Sequence, residues 1–268
     1  MDELHQKLER LREHLKKTGR CAVAFSSGVD SAFLLRTAHD VLGDKVIALT
    51  AKACIFPGRE SDEAAEFCKK EKVEQVVIDF DPLSVEGFKE NPSDRCYHCK
   101  KALFQSFVDI AKERGIEHIL EGSNMDDDGD YRPGKRAIKE LSIESPLKEA
   151  GLYKDEIRKL SKEFGLPTWK KPSFACLASR FPYGESIDEE KLSMVDRGEQ
   201  LLLDLGFSQF RVRLHGNLAR LEILPNEFEK LLRKDVRERV YNELKALGFS
   251  YVSMDLEGYR TGSMNEVL

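Results

Sequence analysis

The chain has 268 residues, 41% of them hydrophobic and 34% charged, with a formal net charge of −5. That is enough apolar material for one large core or two modest ones. The basic excess of a protein that grips nucleic-acid phosphates is missing, so nucleic acid is not the expected partner.

The N-terminal segment MDELHQKLERLREHLKKTGR has no apolar run and predicts neither a signal peptide nor a membrane span. Leu4, Leu8, Leu11 and Leu15 recur at helical spacing and mark an amphipathic helix. No later stretch reaches membrane-helix length, so a soluble, cytoplasmic protein is expected. Its six cysteines are then thiols or metal ligands rather than disulfides.

Strand and helix patterns then alternate. The apolar run 21–25 leads through a small-residue loop to a helix over 31–42, stopped by Gly43. Val46–Leu49 precedes a helix over 60–72, and Val76–Ile78 precedes one over 98–114 that Gly115 stops. Ile119-Leu120 runs into Gly122. The order predicts an α/β fold with a parallel sheet covered on both faces, whose ligand sits at the carboxyl ends of the strands. After residue 150 the pattern changes: helices over 153–164 and 191–205, alternating strands 210–214 and 218–223, a helix over 225–247 and a strand over 251–256. A smaller α+β domain is therefore expected over 176–268, behind a nucleotide domain over 1–175.

The stretch Ala24-Phe25-Ser26-Ser27-Gly28-Val29-Asp30-Ser31 joins the first strand to the first crossover helix. Backbone N–H groups and the positive helix end converge there, which suits phosphate. Ser26, Ser27 and Ser31 add hydroxyls, Gly28 admits close approach, and Asp30 suits Mg²⁺. A plain strand–helix turn with a capping serine is the alternative. The stretch resembles the SGGxDS signature of PP-loop ATP pyrophosphatases, with Ser27 in place of the first glycine. That resemblance implies an adenine nucleotide alpha hydrolase-like domain that cleaves ATP between its α and β phosphates and adenylates an oxygen. No Walker GxxxxGK[ST] pattern is present.

Three further segments narrow the match: Asp126-Asp127-Asp128-Gly129-Asp130-Tyr131-Arg132-Pro133-Gly134, Ala175-Cys176-Leu177-Ala178-Ser179-Arg180-Phe181-Pro182-Tyr183-Gly184, and Arg211 and Arg213 with Arg220 and Glu222. With the loop, they resemble the LarE family of sulfur transferases over nearly the whole chain. That resemblance implies ATP-dependent sulfuration of pyridinium-3,5-dicarboxylic acid mononucleotide, for the nickel-pincer cofactor of lactate racemase. A carboxylate needs such adenylation before a sulfur nucleophile can displace it. In the single-cysteine branch of the family, the cysteine at the position of Cys176 gives up its own sulfur.

This chain departs from that branch at Cys96-Tyr97-His98-Cys99. A CxxC can be a redox pair, half a zinc site or part of an iron–sulfur site. Cys96, Cys99 and Cys176 together resemble the set that holds a [4Fe–4S] cluster with one open iron in cluster-dependent relatives. That cluster is the favoured sulfur carrier, with sacrificial Cys176 as the alternative. Cys21, Cys54 and Cys68 read as core residues.

Lys100 is expected to face AMP or substrate phosphate, with a solvated helix face as the alternative, and Asp128 to serve the substrate site, with a hydrated loop as the alternative. Ser179 and Arg180 flank Cys176 and are expected to orient the substrate carboxylate. Arg211 and Arg213 share a strand face and, with Glu222, suit a phosphate monoester, with ordinary surface cross-strand pairs as the alternative. The expected partner is the small mononucleotide, with no membrane, and the chain is expected to form a homo-oligomer. A tRNA thiolase, an amide-forming synthetase and a non-catalytic nucleotide sensor are the competing readings.

Overall fold

Cys21-Ala22-Val23-Ala24 forms β1 (Cys21–Ala24), whose first three residues are wholly inaccessible, as a small apolar run covered on both sheet faces must be. The structure is a computed structural model and describes residues 2–129, 133–172 and 175–267, without the side chain of Asp128. Ahead of β1, α1 (Glu3–Thr18) is capped by Asp2, which accepts from the His5 amide at 2.9 Å, and it buries Leu8, Leu11 and Leu15. After β1 come α2 (Val29–Leu42), β2 (Val46–Lys52), α3 (Gly58–Glu71), β3 (Glu74–Asp79), α4 (Arg95–Glu113) and β4 (His118–Leu120). Then follow α5 (Gly134–Glu140), α6 (Pro146–Glu149) and α7 (Lys154–Glu163). The four strands are parallel in the order β3-β2-β1-β4, the α/β architecture expected. The chain leaves β1 toward β2 and β3 on one side and returns to β4 on the other. The loops after β1 and β4 therefore part at a topological switch point, where such sheets bind ligands.

The chain divides into two units. The first comprises Met1–Ala53, Gly58–Phe80 and Cys96–Phe174, and the second comprises Cys54–Pro57, Asp81–Arg95 and Ala175–Leu268. The short segments 54–57 and 81–95 thus differ from a single division at 175/176. Hydrogen bonds within the second unit account for them: Leu177 N donates to Ile55 O, Gly184 N to Asn91 O and Ile187 N to Lys89 O, each at 2.9 Å.

In the second unit, α8 (Glu189–Asp204) packs on β5 (Phe210–His215), which pairs antiparallel with β6 (Leu218–Ile223). A Cβ on Gly198 would lie 3.0 Å from Leu244 Cδ2, so glycine there permits close packing. The expected helix over 225–247 is interrupted. A 3₁₀ turn leads to α9 (Phe228–Leu232), Arg233 turns extended at ψ 137°, and α10 (Lys234–Ala246) begins anew. Buried Val236, Val240 and Leu244 repeat every fourth position, whereas Leu231 lies five before Val236. The break restores the apolar stripe to one face. Last, β7 (Tyr251–Met254) pairs parallel with β6 and ends short of Leu256. No helix among the described residues is long and apolar enough to cross a membrane.

Candidate functional site

The β1–α2 loop joins strand to helix as its residues predict, with Ser27 at the position of the first glycine. Its φ is 55°, in the left-handed region that glycine adopts freely and serine rarely. The loop keeps the glycine conformation despite the Cβ. Ser31 Oγ lies 3.2 Å from Ser26 Oγ and donates to Gly28 O at 3.2 Å, bracing the turn. Gly28 caps α2 without a side-chain hydrogen bond, which leaves the first-turn amides of α2, Val29 included, to a ligand.

Asp30 stands in that first turn. It accepts from Asn124 Nδ2 at 3.3 Å and forms an ion pair with Lys154 on α7. Burial pushes its carboxyl pKa up against the opposing pull of Lys154. Gly122, after β4, comes so close that a Cβ there would sit 3.1 Å from Ser31 N. The two diverging loops thus meet at the α2 N-terminus. Lys171 also reaches the loop, donating to Ser27 Oγ at 3.0 Å and Ser27 O at 3.1 Å. The sequence reading named neither lysine.

Lys100, on α4 one turn beyond Cys96, lies 3.7 Å from the buried carboxylate of Glu121 at the end of β4. A Cβ on Gly134 would meet Lys100 Cδ at 2.9 Å, so the DYRPG glycine leaves room for the lysine stem. The side chain of Asp128, with Asp130, Tyr131 and Arg132, lies outside the described residues. The CxxC opens α4, with Cys96 exposed and Cys99 buried. All six cysteines are free thiols, and three thiols are a suitable donor set for an iron–sulfur cluster. Among the described residues, no group of three or more His, Cys, Asp or Glu side chains stands assembled for a metal ion. Cys21 and Cys68 are buried in the core, where burial pushes both thiols up to about 12 and removes them as nucleophiles. Cys54, expected in the core, is only half-buried.

In the second unit Cys176 precedes a 3₁₀ turn, Leu177–Arg180. Arg180 is wholly buried and forks onto Glu199 through Nε and Nη2, both at 2.8 Å. Its Nη1 donates to Ala175 O at 2.8 Å, Cys176 O at 3.2 Å and Ser179 Oγ at 2.7 Å. Every guanidinium nitrogen is thus engaged internally. Through these bonds Arg180 holds the cysteine loop. Burial pushes the Glu199 carboxyl up, but Arg180 outweighs that and the pKa falls. Glu199→Gln leaves Arg180 without its counter-charge and should cost about 3–5 kcal/mol of stability. Urea unfolding measures this, and a loss under ~1 kcal/mol would contradict the role.

Arg213 donates to Ser179 O at 3.0 Å, Glu222 Oε2 at 2.7 Å and Ser263 Oγ at 3.0 Å. Glu222, fully buried, also accepts from Arg220 at 2.9 Å and Ser263 Oγ at 2.8 Å. Ser179 therefore ties the cysteine loop to the arginine strand. Arg211 is buried over the Tyr259 ring, 5.0 Å from its centroid. Burial, with the nearby charge of Arg180, pulls the Arg211 pKa down to about 10. Arg180, Arg211 and Arg213 are buried in this unit, as are Glu199 and Glu222, and the Arg213 Nε–H has no hydrogen-bond partner.

No family model matches the chain. It is 37% identical over 257 residues to the pyridinium-3,5-bisthiocarboxylic acid mononucleotide synthase of Lactiplantibacillus plantarum, covering 95% of this chain and 92% of that protein. An uncharacterized protein of Synechocystis is 38% identical over 265 residues, 99% of each chain. A polypeptide of the glutamine-hydrolyzing GMP synthase of Thermoplasma volcanium is 26% identical over 186 residues, 62% of this chain and 58% of that protein.

Proposed function

The chain belongs to the LarE family of PP-loop, ATP-dependent sulfur transferases, and we propose that it converts a carboxylate of pyridinium-3,5-dicarboxylic acid mononucleotide into a thiocarboxylate. The observation that carries this reading is that similarity to the synthase runs through both units, taking in the nucleotide loop and the Cys176 loop alike. The α2 amides would receive the triphosphate, with Asp30 holding Mg²⁺ beside it. A substrate carboxylate oxygen attacks the α-phosphorus and pyrophosphate leaves. Sulfur then attacks the adenylated carbon and AMP leaves. Lys100 and Asp128 are assigned to AMP and the substrate, and Ser179 keeps a hydroxyl hydrogen to donate.

Cys96, Cys99 and Cys176 would hold a [4Fe–4S] cluster. When bound, it supplies a transferable sulfur, so that no cysteine is consumed. In the second reading, Cys176 yields its own sulfur. Anaerobic protein given the mononucleotide, ATP and sulfide should yield a product carrying sulfur for oxygen by mass spectrometry. Unchanged substrate would overturn the reading.

Arg211 and Arg213 would hold the substrate phosphate through their guanidinium forks. Arg211→Ala should raise the substrate KM roughly ten- to a hundred-fold, the worth of a charge-assisted contact, with ATP binding little changed. Steady-state kinetics checks this, and an unaltered KM would remove Arg211 from the site.

A further inference from the structure

Lys171 lies 144 residues from Ser27 in sequence, yet its ammonium rests on the apex of the nucleotide loop. It also pairs with Glu63 on α3. The placement is enforced by the backbone. Arg158 on α7 donates to Trp169 O at 2.6 Å and Lys171 O at 2.9 Å, clamping the segment that carries the lysine. The Lys171 side chain is 15% exposed, whereas Glu63 is 46% exposed. An ion pair open to water on its acidic side is weakly held, so Glu63 is a dispensable partner. The hydroxyl of Ser27, which a glycine would lack, is a second acceptor that keeps the ammonium at the loop.

We propose that Lys171 is a phosphate-binding residue of this loop. Without nucleotide its ammonium is parked on Ser27 and Glu63. With ATP it keeps the Ser27 contacts and exchanges Glu63 for an oxygen of the β- or γ-phosphate. As the bond between α-phosphorus and bridging oxygen breaks, the electron pair and the negative charge pass to the departing pyrophosphate. A cation already in place favours that state over the ground state. Ser27 thereby acquires a role beyond filling a glycine position: it positions the lysine. The inference rests on reading the loop as the ATP site and adds the residue that receives the leaving group.

The test is calorimetric titration of the full chain with inorganic pyrophosphate and, separately, with AMP, at fixed Mg²⁺. Lys171→Met should weaken pyrophosphate binding by roughly ten- to a hundred-fold, as expected for loss of a charge-assisted contact, with AMP binding unchanged. Lys171→Arg should retain most of the affinity. Glu63→Gln, which releases the lysine, should strengthen pyrophosphate binding by a few-fold. A purely structural brace would lower pyrophosphate and AMP binding together, and Glu63→Gln would weaken both. That outcome, or wild-type pyrophosphate affinity in Lys171→Met, overturns the assignment. Wild-type protein that binds neither pyrophosphate nor ATP would instead overturn the reading of the loop itself.

Discussion

Asp30→Ala should leave a folded protein whose pyrophosphate release from ATP falls by on the order of 10²–10³-fold, the usual cost of removing one preorganised charge from a reacting centre. The argument is geometric. Asp30 sits in the first turn of α2, where the macrodipole favours an anion, and Asn124 and Lys154 fix its two oxygens. It is the carboxylate of the loop itself, and burial works against its ionisation. A buried carboxylate sustained by an ammonium is ready to exchange that ammonium for a divalent cation. The Lys154 side chain is 27% exposed, so losing its partner lets it turn to solvent rather than strand a charge. Thermal unfolding should therefore change little. Asp30→Asn keeps the shape and removes the charge, and should be nearly as inactive. Turnover within a few-fold of wild type in either variant would show that Asp30 is not the metal-binding carboxylate.

The second large effect is expected at Cys176. Cys176→Ala should abolish thiocarboxylate formation, by on the order of 10³-fold or more as for other essential nucleophile positions, while ATP–pyrophosphate exchange persists. The two half-reactions separate because the nucleotide loop and Cys176 belong to different units. The carbonyl of Cys176 is held by Ser179 N at 3.0 Å and by Arg180, so the loop remains in place when the sulfur is removed. Intact-mass measurement of wild-type protein after turnover extends the test. An unchanged mass agrees with sulfur delivered without loss of a cysteine, and a chain lighter by the elements of H₂S makes Cys176 the donor. Full sulfur transfer by Cys176→Ala would remove it from the chemistry.

The nucleotide loop was legible because everything that makes it is local: a short apolar strand, three small residues and a helix with an acid in its first turn. Its lysines were not. Lys154 and Lys171 meet Asp30 and Ser27 across 124 and 144 residues, and a lysine among many lysines carries no local signature. The ion pair of Arg180 was hidden for a related reason. Its partner Glu199 lies on another element. One signal was present: Leu192, Val195, Glu199 and Leu202 form a single buried stripe of α8, and a carboxylate within an apolar stripe calls for a buried cation. The division of the second unit was hidden because segments 54–57 and 81–95 interrupt the crossovers of the first. The split helix was foreshadowed by the five-residue step from Leu231 to Val236, which no single α-helix can keep on one face.

The central claim, that this loop spends ATP on adenylation, is tested most directly by identifying the phosphorus-containing products. Phosphorus-31 NMR of protein turning over ATP with the pyridinium mononucleotide should show AMP and pyrophosphate appearing in equal amounts, with both signals absent in Asp30→Ala. ADP and orthophosphate in their place would contradict the account.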